Sequence, residues 1–273
     1  MLPLRDRLPA RRPPYVNWLI IVVNIGVFIW TQALISVAGP RGQVARAHEM
    51  LMEHGLVPAR LLAEPIAALP TLFSSMFMHD PSGWAHLGGN MLYLWIFGDN
   101  VEDAMGSRRY ALFYVLCGLA AAMAQVVVGP GSVVPMVGAS GAISGVLAAY
   151  GSLYPRSPIT VLNPIPLLWF VFGFFFELPA WLIILEYFVV NLFSGVGSLG
   201  MEGGGVAFFA HLGGFVAGLG LVRLFMAGRT PRDHDRWTRF RPPPEQRRVR
   251  TPYGYTSPYG QPRRPRGQDP WGG

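Results

Sequence analysis

Five polar side chains stand inside otherwise apolar stretches of this 273-residue chain: His86, Asn90, Ser140, Ser144 and His211. A polar group is costly to place within a membrane span, so such residues are functional candidates by default. A serine hydroxyl beside a histidine is a weak nucleophile with a general base. If the two side chains met, they would form the minimum arrangement for nucleophilic catalysis at a serine.

Each residue also has a purely structural interpretation. Ser140 opens a predicted helix and could be its N-cap, His211 could be a core histidine, and Asn90 could bond a neighbouring helix. The residues GASGA at 138–142 do not match the G-x-S-x-G elbow of soluble hydrolases, because position 142 is Ala. Taken singly, these residues favour the structural interpretation, so the elements that position them must decide.

Composition places these residues in a membrane. The chain is 51% hydrophobic and only 14% charged, well below the charged fraction of soluble domains. Spans are predicted at residues 15–38, 84–101, 110–128, 140–154, 179–194 and 206–226. The first run could be a signal peptide, but it is longer than a typical h-region and more spans follow. We expect an all-α polytopic protein, a bundle of six transmembrane helices.

Two further segments are predicted to be structured outside the spans. Residues 39–83 carry too many charges to cross a bilayer, and we expect a large external loop with short interfacial helices between the first two spans. Residues 161–177 are predicted to lie in the membrane interface. Residues 194–205 are glycine-rich, and both a mobile cap over a site and a plain flexible loop fit them.

The basic residues indicate the orientation of the chain. All 22 are arginines: four precede the first span, twelve lie from Arg223 onward, and Arg108, Arg109 and Arg156 fall in segments on the same side. Only Arg41, Arg46 and Arg60 fall on the other side. The positive-inside rule then places both termini of a multi-pass protein in the cytoplasm, in the cell inner or plasma membrane. Because the basicity is mostly a tail, no nucleic-acid partner is expected.

Three segments follow from this organisation: a disordered cytoplasmic N-terminus at 1–14, a membrane domain at 15–228 and a disordered basic cytoplasmic tail at 229–273. In the membrane domain, His86 and Asn90 share a helix face. Both lie at the same predicted depth as Ser140 and His211, below the external surface. Glycine pairs at 141 and 145 and at 214 and 218 would let two helices approach closely in lipid, so the serine and the histidine could meet.

The motifs resemble those of rhomboid proteases. GASGAISG at 138–145 is similar to the family's serine motif, AHLGGFVAG at 210–218 to its histidine motif, and MHDPSGWAHLGGN at 78–90 to its second-helix pattern. The resemblance covers residues 15–226. It implies an intramembrane serine endopeptidase that cleaves transmembrane segments of other membrane proteins within the lipid bilayer, without a metal or cofactor. The sequence does not indicate an oligomeric state.

The resemblance also implies roles for individual residues. Ser140 is the nucleophile and His211 the base of a dyad without a third acid; His86, Asn90 and the Ser140 backbone N–H form the oxyanion site; the supporting residues are His79, Glu102, Gly138, Gly141 and Gly214. Glu102 is implied to help anchor the external loop. Two positions depart from the pattern: Pro70 and Thr71 replace a Trp-Arg pair found in some members, and Ser144 replaces an aromatic residue that stacks on the histidine in many.

The alternative class is a membrane protein without enzymatic activity, either a rhomboid-like chaperone or a transporter. A chaperone descended from a protease would be expected to lack the serine or the histidine, and both are present. A transporter would be expected to show an internal repeat with interrupted helices in both halves, and the sequence has none. The protease interpretation is therefore preferred.

Overall fold

A computed structural model of the chain describes residues 2–163, 169, 173–197 and 206–229. Its helices, in chain order, are α1 (Tyr15–Val37), α2 (Gly39–His54), α3 (Pro58–Ala63), α4 (Pro65–Ala68), α5 (Thr71–Ser74), α6 (Trp84–Tyr93), α7 (Asp99–Met105), α8 (Ser107–Val128), α9 (Ser140–Leu153), α10 (Ala180–Gly197) and α11 (Val206–Phe225). A π-helical turn, Leu94–Gly98, joins α6 to α7. Three strands complete the fold: β1 (Leu2–Asp6), β2 (Pro158–Leu162) and β3 (Phe175–Pro179).

The apolar helices coincide with the predicted spans. Within the described residues, three helices are long and apolar enough to cross a membrane: Tyr15–Val37, Ser107–Val128 and Phe208–Phe225. Helices α9 and α10 contribute shorter apolar stretches, and the second predicted span is formed by α6, the π-helical turn and the start of α7. The protein is thus a mainly helical membrane domain, and the number of six spans stays a prediction.

The centre of the helical domain is formed by α8, α9 and α11, which pack closely against one another. Glycines make this possible, because a Cβ on Gly214 would overlap the carbonyl group of Gly141, and a Cβ on Gly218 would overlap the backbone of Gly145. Backbones in direct contact are typical of helix pairs in lipid, where small residues replace bulky ones at the interface. The start of α9 and the start of α11 are therefore brought together.

The segment between α1 and α6 is folded, as its mixed composition predicts. It contains α2 to α5, and it pairs with the chain that precedes α9. The Leu56 N–H donates to the Met136 carbonyl at 3.0 Å, and the Met136 N–H donates back at 2.8 Å. The Ser74 hydroxyl donates to the His54 carbonyl at 2.6 Å. This segment thus supports the backbone that leads into Ser140.

An antiparallel sheet of β1, β2 and β3 was not expected. Residue Leu2 pairs with Leu162 and Asp6 with Ile159, while Leu162 also pairs with Phe175. From the sequence, residues 1–14 are predicted to be disordered. Residues 2–6 instead form β1, because they gain backbone hydrogen bonds to β2, whose Ile159, Thr160 and Val161 favour a strand. Strands β2 and β3 also occupy the two ends of the predicted interfacial segment 161–177.

Polar contacts tie the sheet to the helices. The Asp6 carboxylate accepts a hydrogen bond from the Tyr150 hydroxyl at 2.8 Å and from the Asn100 amide at 2.7 Å. Arg7 forms a salt bridge with Glu177. The Arg109 guanidinium donates to the Phe225 carbonyl at 2.8 Å.

These contacts bring residues 2–6, 99–109, 158–162 and 225–229 to one end of the helical domain, which we call the terminal face. The opposite end, formed by the end of α1, by α2 to α5 and by residues 129–138, is called the site face. The predicted cap at 194–205 lies mostly outside the described residues, and so does the basic tail from residue 230 onward.

Candidate active site

A serine and a histidine are in hydrogen-bond contact at the site face. Ser140 is the first residue of α9 and His211 is the sixth of α11, so both lie near the same end of their helices. The Ser140 Oγ and the His211 Nε2 are 2.7 Å apart. When the neutral imidazole carries its proton on Nδ1, Oγ–H donates to Nε2, which is the arrangement a histidine needs to take the proton of an attacking hydroxyl. Ser140 does not cap α9 with its side chain.

The other imidazole nitrogen has no partner in the described part of the chain. His211 is buried, with 6% of its surface exposed, and its Nδ1 makes no hydrogen bond there. A triad would place a carboxylate at Nδ1 to orient the ring. Among the described residues, no carboxylate meets this nitrogen.

The turn before Ser140 has a backbone that only glycine adopts easily. Gly138 has φ +124°, and its N–H donates to the Ser75 carbonyl at 2.9 Å. A Cβ at this position would also lie 3.0 Å from the His86 ring and 3.6 Å from the Ser140 Oγ. Glycine thus provides both the turn and the space beside the serine.

His86 lies beside the serine and faces outward. It is the third residue of α6, its ring adjoins Gly138, and the residue is exposed. The first N–H groups of α9 lack intrahelical partners, as at every helix start. An oxyanion formed near Ser140 would therefore meet backbone donors on one side and the His86 imidazole on the other.

Asn90 and His79 form a buried pair behind His86. The Asn90 Nδ2 lies 3.0 Å from the His79 Nε2, and the His79 ring contacts the His86 ring with a centroid distance of 5.3 Å. Burial lowers the pKa of His79 to about 4, and the nearby His86 contributes in the same direction. His79 is therefore neutral at pH 7, so its Nε2 accepts a hydrogen bond from Asn90 while the Nδ1 faces the Phe77 carbonyl.

A small cavity adjoins the pair of Ser140 and His211. Its volume is about 30 Å³, and it is bordered by Ser75, Gly138 and Ala210 among others. That volume exceeds the ~10–15 Å³ that one water molecule needs. The hydroxyl of Ser75 is buried there without a hydrogen-bond partner in the described residues. Polar groups and space for a water molecule thus lie next to the nucleophile.

Glu102 is placed differently from the role that the resemblance implies. Its carboxylate accepts hydrogen bonds from the Asn17 N–H at 2.7 Å, from the Val16 N–H at 3.2 Å and from the Ser107 hydroxyl at 2.6 Å. These groups lie at the terminal face, at the opposite end of α1 from the loop. Glu102 therefore anchors the start of α1, because the unpaired N–H groups of a helix N-terminus attract a carboxylate.

Ser144 lies next to Tyr187, a residue that is not among those predicted from the sequence to form the site. The Ser144 hydroxyl donates to the Ser140 carbonyl at 2.8 Å and lies 3.4 Å from the hydroxyl of Tyr187 on α10. The Tyr187 ring lies beside the His211 imidazole, with a centroid distance of 5.9 Å and an angle of 50° between planes. Because position 144 is not aromatic, the sequence left open that another helix provides the ring that contacts His211.

No metal centre is formed by the residues described. Within residues 2–163, 169, 173–197 and 206–229, no group of three or more His, Cys, Asp or Glu side chains could hold a metal ion. The single cysteine, Cys117, is buried between α8 and α9, against Gly145.

Comparison with known proteins places these observations in a family. The sequence model of the Rhomboid domain matches residues 67–228. The chain is 25% identical to the mitochondrial Rhomboid protein 1 of Saccharomyces cerevisiae over 219 residues, which are 76% of this chain and 52% of the relative. It is 29% identical to the chloroplastic Rhomboid-like protein 11 of Arabidopsis thaliana over 143 residues, which are 52% of this chain and 43% of the relative.

A bacterial relative matches a shorter segment at higher identity. The Rhomboid protease GluP of Bacillus subtilis is 45% identical over 67 residues, 24% of this chain and 13% of that protein. The chain thus spans about half, or less, of the length of the curated relatives it matches. The matched Rhomboid domain covers more than half of this chain and contains every residue of the site described above.

Proposed function

This chain belongs to the rhomboid family, and we propose that it is an intramembrane serine endopeptidase that cleaves transmembrane segments of other membrane proteins. The observation that carries the proposal is the 2.7 Å contact between the Ser140 Oγ and the His211 Nε2 at the site face. Acyl transfer at a serine requires such a contact between the hydroxyl and a base.

The proposed reaction proceeds in two halves. Ser140 Oγ attacks the carbonyl carbon of the scissile peptide bond while His211 Nε2 takes the hydroxyl proton. The tetrahedral intermediate collapses, and His211 gives the proton to the leaving amine, so that an acyl-enzyme remains on Ser140. A water molecule then attacks the carbonyl carbon of the acyl-enzyme while His211 takes its proton. The second intermediate collapses, His211 returns the proton to Ser140 Oγ, and the second product leaves.

The oxyanion of each tetrahedral intermediate would be stabilised by the Ser140 N–H, by His86 and by Asn90. The positions of Gly138 and His86 beside Ser140 support the first two donors. The amide of Asn90 bonds His79 in the structure, so we propose that Asn90 acts mainly through the placement of this histidine pair, or turns toward the oxyanion when substrate binds.

Substrates are proposed to enter as helices and to unwind. A helix hides its carbonyl groups in hydrogen bonds, and only an extended segment presents one to Ser140. We expect transmembrane segments with Gly, Ala, Ser or Pro near the external boundary of the membrane, and of these residues Gly and Pro weaken a helix most. We place the protein in a cell inner or plasma membrane with six spans and both termini in the cytoplasm.

The nucleophile assignment can be tested with two neighbouring serines. Ser140→Ala should abolish labelling by a serine-reactive fluorophosphonate and cleavage of a model transmembrane substrate in detergent, without lowering the melting temperature. Ser144→Ala is the matched control on the same helix face and should retain substantial activity. Loss of labelling in Ser144→Ala with activity kept in Ser140→Ala would reverse the assignment.

A further inference from the structure

The imidazole of His211 is fixed by a hydrogen bond on one side only. Its Nε2 meets the Ser140 Oγ at 2.7 Å, and its buried Nδ1 has no hydrogen-bond partner among the described residues. One hydrogen bond leaves the ring plane undetermined, because the terminal torsion of a histidine has broad minima. A base that must accept and return a proton along one direction needs a second contact to hold that plane.

The second contact comes from α10. The Tyr187 ring lies 5.9 Å from the His211 ring at an angle of 50°, within the range over which aromatic rings attract each other. The neighbouring Phe188 on the same helix contacts Phe215 of α11 instead, at a centroid distance of 4.2 Å. Two adjacent aromatic residues of α10 thus contact α11, and Tyr187 is the one of the two whose ring lies beside the imidazole.

Tyr187 is itself held on two further sides. Its ring lies 5.2 Å from that of Tyr93 on α6. Its hydroxyl lies 3.4 Å from the Ser144 Oγ, which donates to the Ser140 carbonyl at 2.8 Å. A closed circuit of contacts therefore runs from Ser140 to His211, to Tyr187, to Ser144 and back to the backbone of Ser140.

We propose that Tyr187 is a positioning residue that sets the plane of the His211 imidazole, in place of a hydrogen bond at Nδ1. The inference rests on the proposed function and adds a dependence on α10. Helix α10 contacts both α9 and α11, and its Ile183 is buried in the core of the domain. The alignment of the base therefore depends on the position of α10.

The test separates ring contact from packing. Tyr187→Phe, Tyr187→Leu and Tyr187→Ala are compared with Phe188→Ala, which removes a neighbouring aromatic contact between α10 and α11 without touching His211. The measurements are the rate constant of fluorophosphonate labelling, kcat and KM for a transmembrane substrate, and the melting temperature. Labelling requires the serine and its base but no protein substrate, so it reports their alignment alone.

Loss of the ring should lower the labelling rate and kcat about 10- to 100-fold in Tyr187→Leu and Tyr187→Ala, with KM little changed, as expected for a misplaced catalytic group. Tyr187→Phe keeps the ring and should remain close to the original protein. Phe188→Ala should lower the melting temperature and keep the labelling rate of the folded protein. Tyr187→Leu, which keeps apolar volume, carries the test if Tyr187→Ala does not fold.

Two results would overturn the proposal: labelling at the original rate in a folded Tyr187→Leu variant, or equal losses in Tyr187→Leu and Phe188→Ala. Both leave the unmodified protein active and the proposed function intact. An unmodified protein that neither reacts with the fluorophosphonate nor cleaves substrate would instead contradict the proposed function itself.

Discussion

At the scale of single residues, the proposed chemistry depends on groups from three helices that meet at the site face. Ser140 of α9, His211 of α11 and His86 of α6 each lie within two turns of a helix start at the site face. Their types and spacing could be read from the sequence, because serine, histidine and asparagine in apolar spans require an explanation. Tyr187 could not, since a tyrosine in an apolar helix is ordinary and its contact with His211 depends on tertiary packing.

The oxyanion assignment predicts a separation of activity from stability. His86→Ala should lower turnover about 100- to 1,000-fold, the usual cost of one preorganised donor. Asn90→Ala should also lower turnover, because it releases His79 and with it the histidine pair. Melting temperatures should change little for His86, which is exposed, and more for Asn90, which bonds the buried His79. Turnover and melting temperature are measured for both variants and for the double variant, whose losses should be less than additive.

His48→Ala provides the matched control, because His48 is an exposed histidine on α2. It should leave both turnover and melting temperature unchanged. If His86→Ala kept full turnover, or lost activity only in proportion to its stability, the residue would be a helix contact and not an oxyanion donor.

At the scale of elements, the site depends on how closely α9 and α11 approach. The sequence predicts this approach from glycines four residues apart, and the backbone contact of Gly214 with Gly141 agrees with it. The anchoring by Glu102 was not predictable in the same way. Its carboxylate meets the N–H groups of Val16 and Asn17, some 85 residues earlier in the chain, and no local spacing encodes that distance.

A methyl group at this interface should therefore disturb the dyad. Gly214→Ala places a Cβ against the Gly141 carbonyl, and overpacking of this kind costs about 1–3 kcal/mol. Because separation of α9 from α11 also separates Ser140 from His211, fluorophosphonate labelling should fall together with the melting temperature. Gly220→Ala is the control on the same helix, since a Cβ there meets nothing within 4 Å. Equal behaviour of the two variants would show that the close approach is not required.

At the scale of the whole molecule, the described chain begins and ends at the terminal face. Residues 2–6 pair with residues 158–162, and the guanidinium of Arg109 bonds the carbonyls of Phe225 and Ala227. Both pairings require an even number of membrane crossings between the partners. The arginine distribution predicts the same arrangement from an independent property, the asymmetry of charge between the two sides.

Topology reporters test this arrangement. A reporter that is active only in the cytoplasm should be active when fused after Gly228, and a reporter that is active only in the periplasm should be silent there. Fusions to the N-terminus should give the same pattern. If the two ends reported opposite sides, the number of spans would be odd and the arginine-based orientation would be wrong.

The sheet at the terminal face marks the limit of sequence-based prediction for the whole molecule. Helical spans follow from composition over 20 residues, whereas β1 is a five-residue segment within an Arg- and Pro-rich stretch. Its conformation is stabilised by a partner strand about 155 residues later, so that local propensity carries little information about it. The hydrogen bonds of Asp6 with Asn100 and Tyr150 likewise form only after the helices have packed.

The pairing of β1 with β2 also sets an order of events during synthesis. Residues 2–6 are synthesised long before their partner strand, because Leu2 pairs with Leu162. At about 5–20 residues per second, Leu162 is made roughly 8–30 s after Leu2. In that interval all helices from α1 to α9 are synthesised. The N-terminal strand therefore completes its sheet only when the serine-bearing helix has been synthesised, and its docking is a late step in the maturation of the protein.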